Sequence, residues 1–117
     1  MRTVGSIIAE RTLILEQPTR KKRVTVRLGR PRPFRDGQGD YFCPFQIVGL
    51  GEDQVERAGG VDAFQAIQMA MTGIAVRLRQ RISKNQKRSL YWLVHGDDLG
   101  FPEILTDPRI WFSRRPQ

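Results

Sequence analysis

Asp62 opens the longest periodic stretch in the chain, and one helix of that length narrows the folds open to it. Aspartate is a good helix N-cap, and Gln65 three residues later completes a capping-box pattern. The spacing predicts a helix from Ala63 to Ser83. At about 100° per residue, Phe64, Ile67, Met71, Ile74, Ala75, Leu78 and Ile82 fall within an arc of roughly 100°. That stripe is the predicted core face. Arg77, Arg79, Arg81 and Lys84 gather at the far end, where the helix dipole favours cations.

The stretches around the helix read as strands. Ile7–Leu15 is aliphatic and β-branched, with Ile7, Ala9, Leu13 and Leu15 on one face and Glu10, Thr12 and Glu16 on the other. Gln17, Pro18, Thr19 and Arg20 supply turn chemistry. Arg23–Leu28 alternates cleanly, Val24, Val26 and Leu28 inward and Arg23, Thr25 and Arg27 outward, which is the pattern of a half-buried strand. As a hairpin, the two set acids of the first strand opposite arginines of the second. A loop rich in proline and glycine follows over 29–39. Asp40–Leu50 is a third strand, apolar on both faces. Pro44 removes a ladder donor there, so that strand lies at an edge or carries a bulge. Gly51–Gly60 is acidic and turn-like. Leu90–Val94 is a fourth strand, ended by Gly96, Asp97 and Asp98. The expected architecture is α+β: a small antiparallel sheet in the order β-β-β-α-β, with one long helix packed on one face. The 117 residues fit a single domain, irregular from about 97 to 117.

Charge is distributed in blocks. Residues 1–35 carry ten Lys/Arg and two Glu, residues 36–62 one Arg and six acids, and residues 63–96 six Lys/Arg and no acid. The net charge is +8 and the pI about 10.8, values that suit an acidic protein, a nucleic acid or an anionic surface as partner. A single cysteine excludes an internal disulfide, and the N-terminus has no signal-peptide core, so a cytoplasmic setting is expected. The longest weakly charged run, 61–76, is short of a membrane span, and no membrane partner is expected.

Five features invite a chemical reading. Arg20, Lys21, Lys22, Arg23, Arg27, Arg30, Arg32 and Arg35, with Phe34 beside them, could meet phosphates or an acidic protein face. The arginines at the helix end do not form a tight stripe, and dipole compensation accounts for them. Cys43 and His95 could form a thiolate–imidazole dyad, but no spacing signature supports it, and a buried cysteine more often acts as a small hydrophobe. His95, Asp97 and Asp98 read as a strand-ending turn rather than metal ligands. The second helix face, Ala66, Met69, Gly73 and Val76, is apolar and small. It is covered either by the C-terminal segment with Trp111 and Phe112 or by a second copy in a homodimer. No catalytic, cofactor or metal residues are assigned.

The segments YFCPFQIVGL (41–50) and GVDAFQAIQMA (60–70) together resemble a family of small uncharacterised bacterial proteins, a domain of unknown function, over about residues 40–82. That resemblance implies the strand-then-helix order and a bacterial source. It implies no activity. The function expected is therefore a non-enzymatic protein-binding module of the immunity-protein or antitoxin kind, which occludes a partner bearing an acidic face. Arg27, Arg30, Arg32, Phe34 and Arg35 are its expected surface. The alternative is a nucleic-acid-binding protein that uses residues 20–35.

Overall fold

In the computed structural model, described for residues 3–83 and 87–103, the chain forms an antiparallel sheet with one helix against it. The elements are β1 (Ile7–Glu16), β2 (Lys21–Gly29), β3 (Arg32–Pro33), β4 (Tyr41–Val48), β5 (Glu56–Gly60), α1 (Ala63–Ser83) and β6 (Ser89–Tyr91). The sheet has six strands in the order β3-β4-β2-β1-β6, with β5 also on β4. The expected α+β architecture holds.

The hairpin forms as the alternation demands. Leu13 pairs with Val24 and Arg11 with Val26, and Val24, Val26 and Leu28 are all buried. Glu10 pairs with Arg27 across the strands, and Arg27 Nε donates to Glu10 Oε2 at 3.0 Å. Only the second half of β1 reaches the core. Leu13 and Leu15 are buried, whereas Ile7 is half-exposed, because the register slips between Ile7 and Ala9 and the core ends short of that segment.

β4 lies inside the sheet, so Pro44 does not mark an edge. Phe42 pairs with Arg32 on one side and Gly59 on the other, and Phe45 with Leu28 and Glu56. Thus β2 and β3 share one edge of β4, and β5 holds the other. Between Leu28–Phe45 and Arg32–Phe42 the β2–β3 side carries one extra residue, because the chain leaves the ladder at Arg30 and Pro31, opposite Pro44 with its missing donor. Gly29 is required at the same place, since a Cβ on it would meet Val4 O at 2.5 Å and Pro44 Cγ at 2.7 Å.

Two departures from the sequence pattern matter for function. The stretch expected as an acidic turn contains strand β5. ERAGG has almost no strand propensity of its own, and it is extended because its backbone completes the free edge of β4 over Tyr41–Phe45. The helix also faces the sheet along a different line. Its cap is as expected: Gln65 N–H donates to Asp62 Oδ1 at 2.8 Å, and Gln65 Oε1 accepts from Val61 N–H at 2.8 Å. Its buried residues, however, are Ala66, Met69, Ala70, Ile74, Leu78 and Arg81, and Phe64 is 80% exposed. The seam is turned by roughly a quarter of the helix circumference from the expected stripe, at about 100° per residue.

The face assigned to self-association is therefore corrected. Ala66 and Met69 are buried against the sheet, and a Cβ on Gly73 would touch the Phe45 ring at 3.1 Å. Small residues at the seam let the helix backbone come close to the sheet, and larger ones such as Ile67 and Ile82 wedge in from the flanks. Gly73 and Val76 stay half-exposed at the rim. Trp111 and Phe112, expected to cover this face, lie outside the described residues.

Truncation separates the two helix faces. Ile74→Ala removes a fully buried side chain and is expected to lower the unfolding free energy by about 2–5 kcal/mol, whereas Phe64→Ala should change it by no more than about 0.5 kcal/mol. Urea denaturation measures both. Equal losses would place Phe64 in the core and overturn this orientation.

Candidate functional site

The charge blocks largely neutralise one another inside the fold. Arg77 Nη2 lies 2.8 Å from Glu56 Oε1, and the hydrogen bond that the guanidinium donates to that carboxylate raises its pKa further. Arg81 is buried, donates to Glu52 O at 2.9 Å and faces the carboxylates of Glu52 and Glu56. More than dipole compensation holds it, since it anchors the segment before β5 to the helix. Arg79 pairs with Glu103. The aspartates work on backbone: Asp36, Asp53, Asp62 and Asp98 accept from the amides of Gln38, Gly49, Gln65 and Gly100.

The first basic block divides. Arg27 is paired with Glu10, and Lys21 is 4.0 Å from Glu16. Arg32 lies over the Phe42 ring at 5.0 Å. Phe34 packs on Phe42 at 5.1 Å, and Arg57 lies over the Phe34 ring at 5.3 Å. With those contacts the ring is no open stacking platform for a base. Arg20, Lys22 and Arg23 are exposed at the hairpin tip and Arg30 and Arg35 are exposed near the opposite end of β2. At about 3.3 Å per residue the two groups are roughly 25–30 Å apart. The nine residues do not form one patch.

The structure adds a feature beside β1 that strand patterning hid. β6 ends at Tyr91, short of the expected strand through Val94, because a side chain takes the next amides. Asp97 accepts from the N–H groups of Trp92, Leu93 and Val94 at 3.1, 2.7 and 3.0 Å. These bonds, to Val94 and Leu93 above all, hold its carboxyl below the ordinary carboxylate range. The turn they close presents Leu93 at 71% and Val94 at 63% exposure. It is tied to the hairpin: His95 Nε2 is 2.5 Å from Glu16 Oε2, the Tyr91 and His95 rings are 4.1 Å apart, and Lys21 lies over Tyr91. At its base Arg11 sits 3.8 Å over the Trp92 ring and donates to Leu99 O and Gly100 O at 3.0 Å. The Gly96, Asp97, Asp98 run signals a turn, but nothing local reveals that it closes backwards over Trp92–Val94.

The dyad is not assembled. Cys43 donates to Gly29 O at 3.3 Å, at one end of β2, while His95 stands beside Glu16 at the other. Burial pushes the Cys43 thiol up to about 11, the environment of an inert cysteine. Among the described residues no three His, Cys, Asp or Glu side chains are grouped to hold a metal ion, and no helix is long and apolar enough to cross a membrane.

A family model described as a domain of unknown function (DUF6968) matches residues 9–103. That span takes in the hairpin, β4, the helix and the stapled turn, far more than the strand-and-helix segment that carries the resemblance in the sequence. No curated protein and no solved structure matches the chain.

Two measurements check this geometry. Asp97 has its ordinary value near 3.8 lowered in the folded protein, so its contribution is fully present above that value and is lost as pH falls through the lower native one. The amide resonances of Leu93 and Val94 should therefore hold their folded positions through the ordinary carboxylate range and move only below it. Asp97→Asn should shift them at neutral pH. For Cys43, iodoacetamide at pH 8 should modify the native protein about a hundredfold or more slowly than the urea-unfolded chain. Comparable rates would mean that the thiol is accessible.

Proposed function

We propose that this chain, which belongs to the DUF6968 family of domains of unknown function, is a non-enzymatic protein-binding module that occludes its partner, as an immunity protein or antitoxin does. The contact surface is the end of the sheet that carries the hairpin tip and the turn closed by Asp97. One observation carries this reading: exposed Leu93 and Val94 are held on a turn that His95 ties to Glu16 of the hairpin, whose tip carries Arg20, Lys22 and Arg23, exposed and without a side-chain partner among the described residues. Exposed aliphatics on a loosely held loop would be ordinary surface. Held by three amide bonds, they are ordered before any partner arrives, which removes part of the entropy that association costs.

The cations set the partner's chemistry. They steer an acidic surface toward the tip and align it, and the aliphatic pair then fills an apolar recess on that surface. This relocates the surface expected from sequence. Arg27, Arg32 and Phe34 are engaged within the fold, and Arg30 and Arg35 stand at the other end of β2. Glu16, the acid at this end of the hairpin, is engaged by His95 and Lys21.

The partner is to be captured from the native cell and its affinity then measured with purified components. Leu93→Asp/Val94→Asp and Arg20→Glu/Lys22→Glu/Arg23→Glu should each weaken binding by about tenfold or more, with Arg30→Glu/Arg35→Glu close to wild type. Tip variants that bind normally would overturn the proposal. Tight binding to generic DNA or RNA, lost steeply between low and physiological salt, would also overturn it in favour of a nucleic-acid partner.

A further inference from the structure

We infer that the free edge of β5 is a self-association edge, along which two copies of this chain pair β5 to β5, antiparallel about Ala58. Among the described residues β5 has a backbone partner only in β4. Its other edge carries the N–H and C=O groups that a further strand would take up. No lysine, proline or bulge interrupts the five residues Glu56–Gly60. Its one outward cation, Arg57, is drawn over the Phe34 and Phe42 rings at 5.3 and 5.1 Å.

A groove of about 680 Å³ runs between β5 and α1, its walls including Ala58, Val61, Met69, Gly73 and Val76. An added strand would lie about 4.8 Å from β5, over this flank. The occupant is thus specified twice, by unpaired backbone that requires an extended chain and by an apolar flank that requires cover.

The side chains of β5 fit a second copy of itself. In the antiparallel register centred on Ala58, Arg57 stands opposite Gly59 of the second copy and Glu56 opposite Gly60. Each charged residue meets a position with no side chain, so no like charges face each other. The arrangement is isologous and closes after two subunits. It places self-association at the sheet edge, with Val76 at the groove, and it does not depend on the partner proposed for the hairpin tip.

Gly59 allows a test by sign. It is exposed, and a Cβ there would meet only Tyr41 O at 3.7 Å and Phe34 Cε2 at 3.9 Å, which are ordinary contacts, so both signs of charge can be carried without disturbing the monomer. Gly59→Lys sets a cation opposite Arg57 of the second copy at two symmetric places, and Gly59→Glu sets an anion there. Sedimentation equilibrium over a range of concentrations should show a reversible dimer for the wild-type chain. Its dissociation constant should rise by about tenfold for Gly59→Lys and fall by a similar factor for Gly59→Glu, with circular dichroism reporting the fold of each. A monomer at every concentration up to the millimolar range would overturn the inference. So would a dimer that responds in the same direction to both substitutions.

Discussion

The close approach of α1 to the sheet is the contact on which the rest depends. Ala66, Ala70, Ile74 and Leu78 follow one another at four-residue steps along the seam, and Gly73 admits the Phe45 ring. A helix that presents small residues lies nearer the strands than one that presents phenylalanine and methionine. Its flanking side chains then wedge against the rim of the core. The same rotation aims Arg77 and Arg81 at Glu56 and Glu52. Those pairs bring the acidic segment across the helix end and hold β5 in register on β4. Sheet edge, groove and electrostatics all follow from which line of the helix touches the sheet.

Charge pairing inside the fold changes what the basic composition means. A net charge of +8 suggests a molecule covered in available cations. In the folded chain the glutamates meet Arg27, Lys21, Arg77, Arg79, Arg81 and His95, and four aspartates besides Asp97 hold backbone amides. Among the described residues the cations left over are few and sit near the two ends of β2. The turn that carries Leu93 and Val94 is tied through His95 to Glu16, at the hairpin end of β1. Position relative to Leu93 and Val94, more than the total charge, distinguishes the hairpin tip as a contact surface.

Much of the fold was legible in the residues. Val24, Val26 and Leu28 announce a strand by alternation, Asp62 and Gln65 announce a helix start, and Glu10 opposite Arg27 follows from hairpin pairing. Each of these signals is local. Pro44 was legible as an alternative between edge and bulge, and only the neighbouring strands exclude the edge. β5 was not legible, because ERAGG has no pattern of its own and is ordered by β4. The closed turn after β6 was half-legible. Its glycine and aspartates mark a turn, but the amides that Asp97 captures depend on how the preceding strand ends against β1.

The sequence alone determined the long elements, their order and the antiparallel α+β architecture, because hydrophobic period, caps and turn residues act within a few positions of themselves. Tertiary structure decided which face of α1 is inside, that a glycine-rich acidic segment becomes an edge strand, and which cations remain free. Those outcomes depend on what lies across from a residue in space. Helix burial followed closeness of packing and not summed hydrophobicity, so the small face went in and Phe64 stayed out. Charge availability followed pairing between segments as distant as Glu52 and Arg81, which no window along the chain brings together.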